Sequence, residues 1–139
     1  MKARIKWAEN RTFIGTSETG HSLVFCSDSH GEMAATAPSP MELVLIGTGG
    51  CSAHDVVSIL EKGRQDVADV TVELDADRAP EPPKVFTRVH MTFTVTGRGV
   101  DPKKVARAIE LSVEKYCSAS AMIAKTAKVT HSFEVVEIG

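Results

Sequence analysis

The run Ser39-Pro40-Met41-Glu42 constrains the fold of this chain more than any other stretch, because it is a complete helix start. Ser39 can cap, Pro40 suits the first helical position, where its missing N–H is not needed, and Glu42 stands at the reciprocal position of a capping box. The predicted helix runs to about Lys62, with Gly63 as its stop. Gly47, Gly49 and Gly50 crowd one turn of it, and each costs about 1 kcal/mol of helix propensity relative to alanine. Close approach of the helix backbone to another element or to a ligand is the simplest compensation.

The other elements arrange themselves around that helix. Three β-like stretches precede it, around Ala3 to Ala8, Thr12 to Thr16 and His21 to Cys26, and they read as a meander joined by Glu9-Asn10 and Thr19-Gly20 turns. Ser27 to Pro38 lacks periodicity and reads as a loop. After the helix, Val70, Val72, Leu74 and Ala76 alternate on one run and Val85, Val89, Met91, Phe93 and Val95 on the next, as expected of paired strands. Asp101-Pro102 opens a second helical region with the stripe Val105, Ile109, Ser112, Tyr116 and Ala119, and periodicity leaves open whether it breaks near Tyr116-Cys117. Val129 to Val136 is a final strand. The order β-β-β-α-β-β-α-β is that of an α+β domain, and 139 residues with 42% apolar content suit a single domain spanning 1–139.

Charge and composition narrow the function classes. The formal net charge is −2, the longest basic run is Lys103-Lys104, and one Trp and one Tyr are available for stacking, so nucleic acid is not an expected partner. No stretch reads as a membrane span and the first residues do not read as a signal peptide, so a cytoplasmic protein with no membrane partner is expected. Cys26, Cys51 and Cys117 form neither an even framework nor a Cys-x-x-Cys pair. In a reducing cytosol such cysteines are inert packing or reactive thiols.

Helical geometry brings Val44, Gly47, Thr48, His54, Asp55 and Ser58 to the same side as Cys51, while Ile46, Gly49, Ala53, Val56, Val57 and Leu60 form an apolar stripe opposite. A mid-helix thiol gains little from the helix N-terminus, so a nearby cation or donor must favour its thiolate, and His54 is the local candidate. Cys51 as a small residue at a tight contact is the alternative.

The run Ala37-Pro-Ser-Pro-Met-Glu-Leu-Val-Leu-Ile-Gly-Thr-Gly-Gly-Cys51-Ser-Ala-His-Asp-Val-Val, with the later Glu114-Lys-Tyr-Cys117-Ser, resembles the OsmC/Ohr family of bacterial thiol peroxidases, and is most similar to its small YhfA-like branch. The resemblance covers essentially the whole chain. It implies an OsmC-like fold, an intertwined homodimer with the long helix packed on curved antiparallel sheets. It also implies that Cys51 attacks an organic hydroperoxide to become a sulfenate and that Cys117 condenses with it to a disulfide, which a dithiol, lipoyl groups in the best understood branch, then reduces. No cofactor is implied. The peroxidases carry a glutamate immediately after the helix-start proline, where this chain has Met41, and Glu42 follows one residue later. On a regular helix Glu42 lies about 180° from Cys51, so its expected role is the cap, with a partner's site reachable only across a dimer interface. The activating arginine of an early strand has Arg11 as its candidate here, although the residues around Arg11 do not match the family motif.

Cys26 reads as a strand residue and His131 as a histidine of a buried strand face; His90 reads as solvated. His21 and His30 flank the loop, and with His54 and Cys51 they would make an incomplete metal set lacking a second close ligand pair, so no metal is expected. Two functions follow: a thiol-dependent hydroperoxide reductase, or a non-enzymatic small-molecule-binding or redox-sensing dimer of the same fold.

Overall fold

The computed structural model describes residues 1–27 and 36–139. Most of the loop read over Ser27 to Pro38, His30 included, lies outside them. The described residues fall into two compact units, Met1–Ile46 and Gly47–Gly139.

In the first unit, β1 (Ala3–Glu9), β2 (Thr12–Ser17) and β3 (Ser22–Cys26) form the antiparallel meander that the sequence predicts. Asn10 turns the chain between β1 and β2 with a φ of 49°, a conformation asparagine tolerates better than most residues. The unit ends in the first turns of α1 (Pro40–Lys62), and the capping box is fully formed. The Ser39 N–H donates to Glu42 Oε1 at 3.2 Å, and the Glu42 N–H donates to Ser39 Oγ at 3.1 Å.

The second unit holds the rest of α1, then β4 (Asp66–Arg78), β5 (Phe86–Arg98), α2 (Pro102–Leu111), a π turn (Ser112–Tyr116), α3 (Ser118–Ile123) and β6 (Lys128–Glu137). Its sheet runs β4-β5-β6. The antiparallel expectation holds for β4 and β5, but β6 joins β5 in parallel, because the helical connection carries the chain back past the length of the sheet. Val89, Met91, Phe93 and Val95 of β5 are fully buried, together with Val56 and Leu60 of α1 and Val105, Ala108 and Ile109 of α2.

Several local readings change. The close approach predicted for the glycines of α1 occurs at Gly49, where an added Cβ would come within 2.6 Å of Leu74 Cδ1; Gly47 and Gly50 meet nothing within 4 Å among the described residues. The helix ends at Lys62, as its pattern predicts, but the left-handed residue that closes it is not Gly63. Arg64, with φ 56°, takes the left-handed position, and the N–H groups of Arg64 and Gln65 return to the carbonyls of Glu61 and Leu60. His131 lies on the face shared with Val129 and Phe133 but is exposed, because β6 is an edge strand. His90 is half-buried, its ring nitrogens bonded to Thr130 Oγ1 at 2.6 Å and Ser132 Oγ at 3.0 Å, not simply solvated. By length and composition α1 meets the requirement for a membrane span, which the sequence reading did not anticipate. Of that stretch 28% is buried, Gly49, Ser52, Val56 and Leu60 among it.

Candidate active site

Cys51, Asp55 and Cys117 come together, with one sulfur or oxygen atom of each lying within 4.8 Å of the others. Cys51 and Asp55 are one helical turn apart on α1, as their spacing requires. Cys117 arrives by a route the periodicity does not show. On an uninterrupted α-helix the buried stripe Val105, Ile109, Ser112 would continue through Tyr116. The π turn inserts one residue, marked by the Cys117 N–H donating to the Ser112 carbonyl at 2.7 Å, and moves every later side chain by one position. Tyr116 is therefore 52% exposed, while Cys117 is 2% exposed and Ser120 1%. The helix does break at this point: Cys117 is extended (φ −74°, ψ 102°) and caps α3.

That cap is chemically unusual. The Cys117 sulfur accepts the Ser120 N–H at 3.3 Å, as a capping oxygen would, and also the Ser52 hydroxyl at 3.3 Å. Ser52 Oγ and Ser120 Oγ are themselves 3.3 Å apart. Burial works against a Cys117 thiolate, but the Ser120 and Ser52 hydroxyls and the Ser120 amide outweigh it, so its pKa is held below the ordinary thiol value. Cys51 moves the other way. The Ala119 N–H donates to it and favours its thiolate, yet partial burial, the Cys117 sulfur and the Asp55 carboxylate together push its pKa up. The same contacts thus bias the two sulfurs in opposite directions, Cys117 toward its thiolate and Cys51 toward its thiol.

His54, the cation expected to favour the Cys51 thiolate, is turned away. Its side chain is 83% exposed and its Nδ1 lies 3.8 Å from Asp55 Oδ1. Asp55 in turn accepts the Ser112 hydroxyl at 3.0 Å through Oδ2. Arg11 is exposed in the β1–β2 turn, and Glu42 is engaged in the helix cap; both belong to the first unit, and the two cysteines to the second. His21 pairs with Thr19 Oγ1 at 3.1 Å, and Cys26 ends β3 opposite Thr12. The sequence reading missed Ser52, Ser112 and Ser120. No sequence signal marked them, because cysteine is not a usual capping residue and the cap at Cys117 appears only in the structure.

Residues 30–132 match the family model described as OsmC-like protein. The chain belongs to the OsmC family. Protein YhfA of Escherichia coli K12 is 52% identical over 136 residues, a match covering 98% of each chain. The crystal structure of a hypothetical protein from Aquifex aeolicus superposes with a TM-score of 0.87 at 28% identity, covering 99% of this chain and 97% of that one. The fold extends to OhrB of Bacillus subtilis, an organic hydroperoxide resistance protein, with a TM-score of 0.66 at 18% identity and coverage of 96% and 98%. An OsmC-like fold of two sheets and a long helix is therefore shared across the family.

Proposed function

We propose that this OsmC-family protein reduces organic hydroperoxides with its cysteine pair. The Cys51 thiolate attacks the distal peroxide oxygen; the O–O bond breaks, the alcohol leaves with a proton, and Cys51 becomes a sulfenic acid. The Cys117 thiolate then displaces hydroxide, which leaves as water, and a Cys51-Cys117 disulfide forms. A dithiol such as a lipoyl group takes the oxidation by exchange, so hydroperoxide plus dithiol gives alcohol, water and cyclic disulfide. One observation carries the reading: two sulfurs from distant parts of the sequence meet, and the second is held by donors that favour its thiolate. The hydroperoxide-resistance neighbours give it further support.

Glu42 has its carboxylate engaged in the helix cap, and we propose no part for it at the sulfur. A homodimer fits the exposed Tyr116, Met122, Phe133 and Val136 of the second unit. A reducing cytoplasm is the compartment in which the pair would cycle.

Reduced protein treated with an organic hydroperoxide is expected to lose two thiols per chain and to give a linked Cys51-Cys117 peptide by mass spectrometry. Unchanged peroxide consumption in Cys51→Ser would exclude the reading. The second reading, a binding or redox-sensing dimer, is favoured by the raised Cys51 pKa, and turnover with a dithiol well above the free-thiol rate separates the two. The pH dependence follows from the same shift. With its pKa raised, Cys51 is mostly thiol at neutral pH, so its oxidation rate is expected to climb about tenfold per pH unit and to level off only above the ordinary thiol value. Asp55→Asn removes a neighbouring negative charge, and the plateau is expected at lower pH. A wild-type rate already flat between pH 6 and pH 8 would contradict this, pH values being about those at which a free thiol is protonated.

A further inference from the structure

We propose that Cys51, Cys117 and Asp55 form a zinc site, two thiolates and one carboxylate oxygen holding the ion and a fourth position remaining open. The argument rests on donor chemistry and geometry. Three ligand atoms of different residues already lie within 4.8 Å of one another. Tetrahedral zinc, with bonds of about 2.3 Å to sulfur and about 2.0–2.2 Å to oxygen, needs its ligands about 3.5–3.8 Å apart. Closing the trio takes side-chain shifts of about 1 Å. Two thiolates exclude magnesium and calcium, which demand oxygen, while the carboxylate suits zinc better than monovalent copper.

The surroundings of the three ligands are those of a metal site. Ser112 donates to Asp55 Oδ2, which orients the carboxylate, and His54, with Nδ1 3.8 Å from Oδ1, holds the other oxygen only loosely. Ser52 and the Ser120 amide support the Cys117 sulfur in the same way. A cavity of about 490 Å³ lined by His54, Ser58 and Tyr116 borders Asp55, the one ligand of the three that it touches. Disulfide formation removes two of the three ligands. Zinc occupancy and oxidation of the pair therefore exclude each other, and each must weaken the other by linkage.

The test uses the reduced full chain with Zn²⁺ and, as a spectroscopic probe, Co²⁺. One ion per chain is expected, with release of up to about two thiol protons and a thiolate-to-cobalt charge-transfer band. Diamide, which oxidises dithiols without any peroxidase activity, is expected to expel the ion. Asp55→Asn should weaken binding by at least about tenfold, and Cys117→Ser should abolish the site. Cobalt binding without the thiolate band, or affinity unchanged in Asp55→Asn, overturns the proposal, and the wild-type spectrum decides even if a variant fails to fold. The site and the peroxidase reading fail separately: zinc retained by a protein inert to hydroperoxide supports the site, and a peroxide-driven disulfide that forms at the same rate with saturating zinc overturns it.

Discussion

The Cys117→Ser protein is expected to consume a single equivalent of organic hydroperoxide per chain and then stop. Its first chemical step needs only Cys51, which stays in place. Serine is a preferred N-cap residue, so α3 keeps its start, and the hydroxyl accepts the Ser120 N–H that the sulfur accepts in the native chain. Removing the neighbouring sulfur also relieves one of the causes that push the Cys51 pKa up, so the single-turnover attack should be no slower than in the native chain. The second step is lost, because no neighbouring sulfur stands ready to displace the sulfenic oxygen. Stopped-flow mixing with one equivalent of peroxide, trapping of the Cys51 sulfenate with a 1,3-dione, and steady-state turnover with a dithiol separate the steps. Trapping should rise from near zero to about one per chain while turnover falls to the rate of a free thiol. Native-like turnover in Cys117→Ser would remove Cys117 from the cycle.

The elements of this fold were legible because their signals are local. The box at Ser39 and Glu42, the cap at Asp101-Pro102 and the alternation through Val89, Met91, Phe93 and Val95 each declare themselves within a few residues, and each lies where its pattern says. What could not be read depended on contacts between distant segments or on a break in periodicity. The parallel pairing of β6 is set by where the helical crossover delivers the chain, which no strand pattern encodes. The inward turn of Cys117 depends on one inserted residue in a π turn, and strict helical counting assigned that place to Tyr116. Along its own helix Cys51 has His54 as its nearest cationic neighbour, and that side chain is exposed. Asp55 was on the right face, but only the arrival of Cys117, Ser112 and Ser120 gives its carboxylate something to act on.

Gly97→Ala is expected to cost about 3 kcal/mol of stability and to lower the melting temperature by about 10 °C. A methyl group at this buried position would overlap the carbonyl oxygen of Asp66 on the paired strand and approach Val100 Cγ2 to 2.6 Å. Neither neighbour can yield cheaply. The Asp66 carbonyl is backbone at the end of β4, where the register already shifts between Val67 and Asp69, and Val100 is 5% exposed. Gly97 itself is pinned, since its carbonyl accepts the Ile138 N–H at 3.0 Å. Strain there also propagates toward the chemistry. Just beyond it Gly99 turns with φ 59°, the Asp101 N–H donates to Gln65 Oε1 at 2.8 Å, and the Asp101 side chain caps α2, whose far end leads through the π turn to Cys117. Gly50→Ala is the matched control. It meets open space and sits in a helix, so it should gain up to about 1 kcal/mol. Chemical denaturation of both variants, followed by thiol reactivity below each midpoint, measures the two signs. If Gly97→Ala unfolds with Gly50→Ala and not well below it, the contact between β4 and the end of β5 is looser than the atomic positions require.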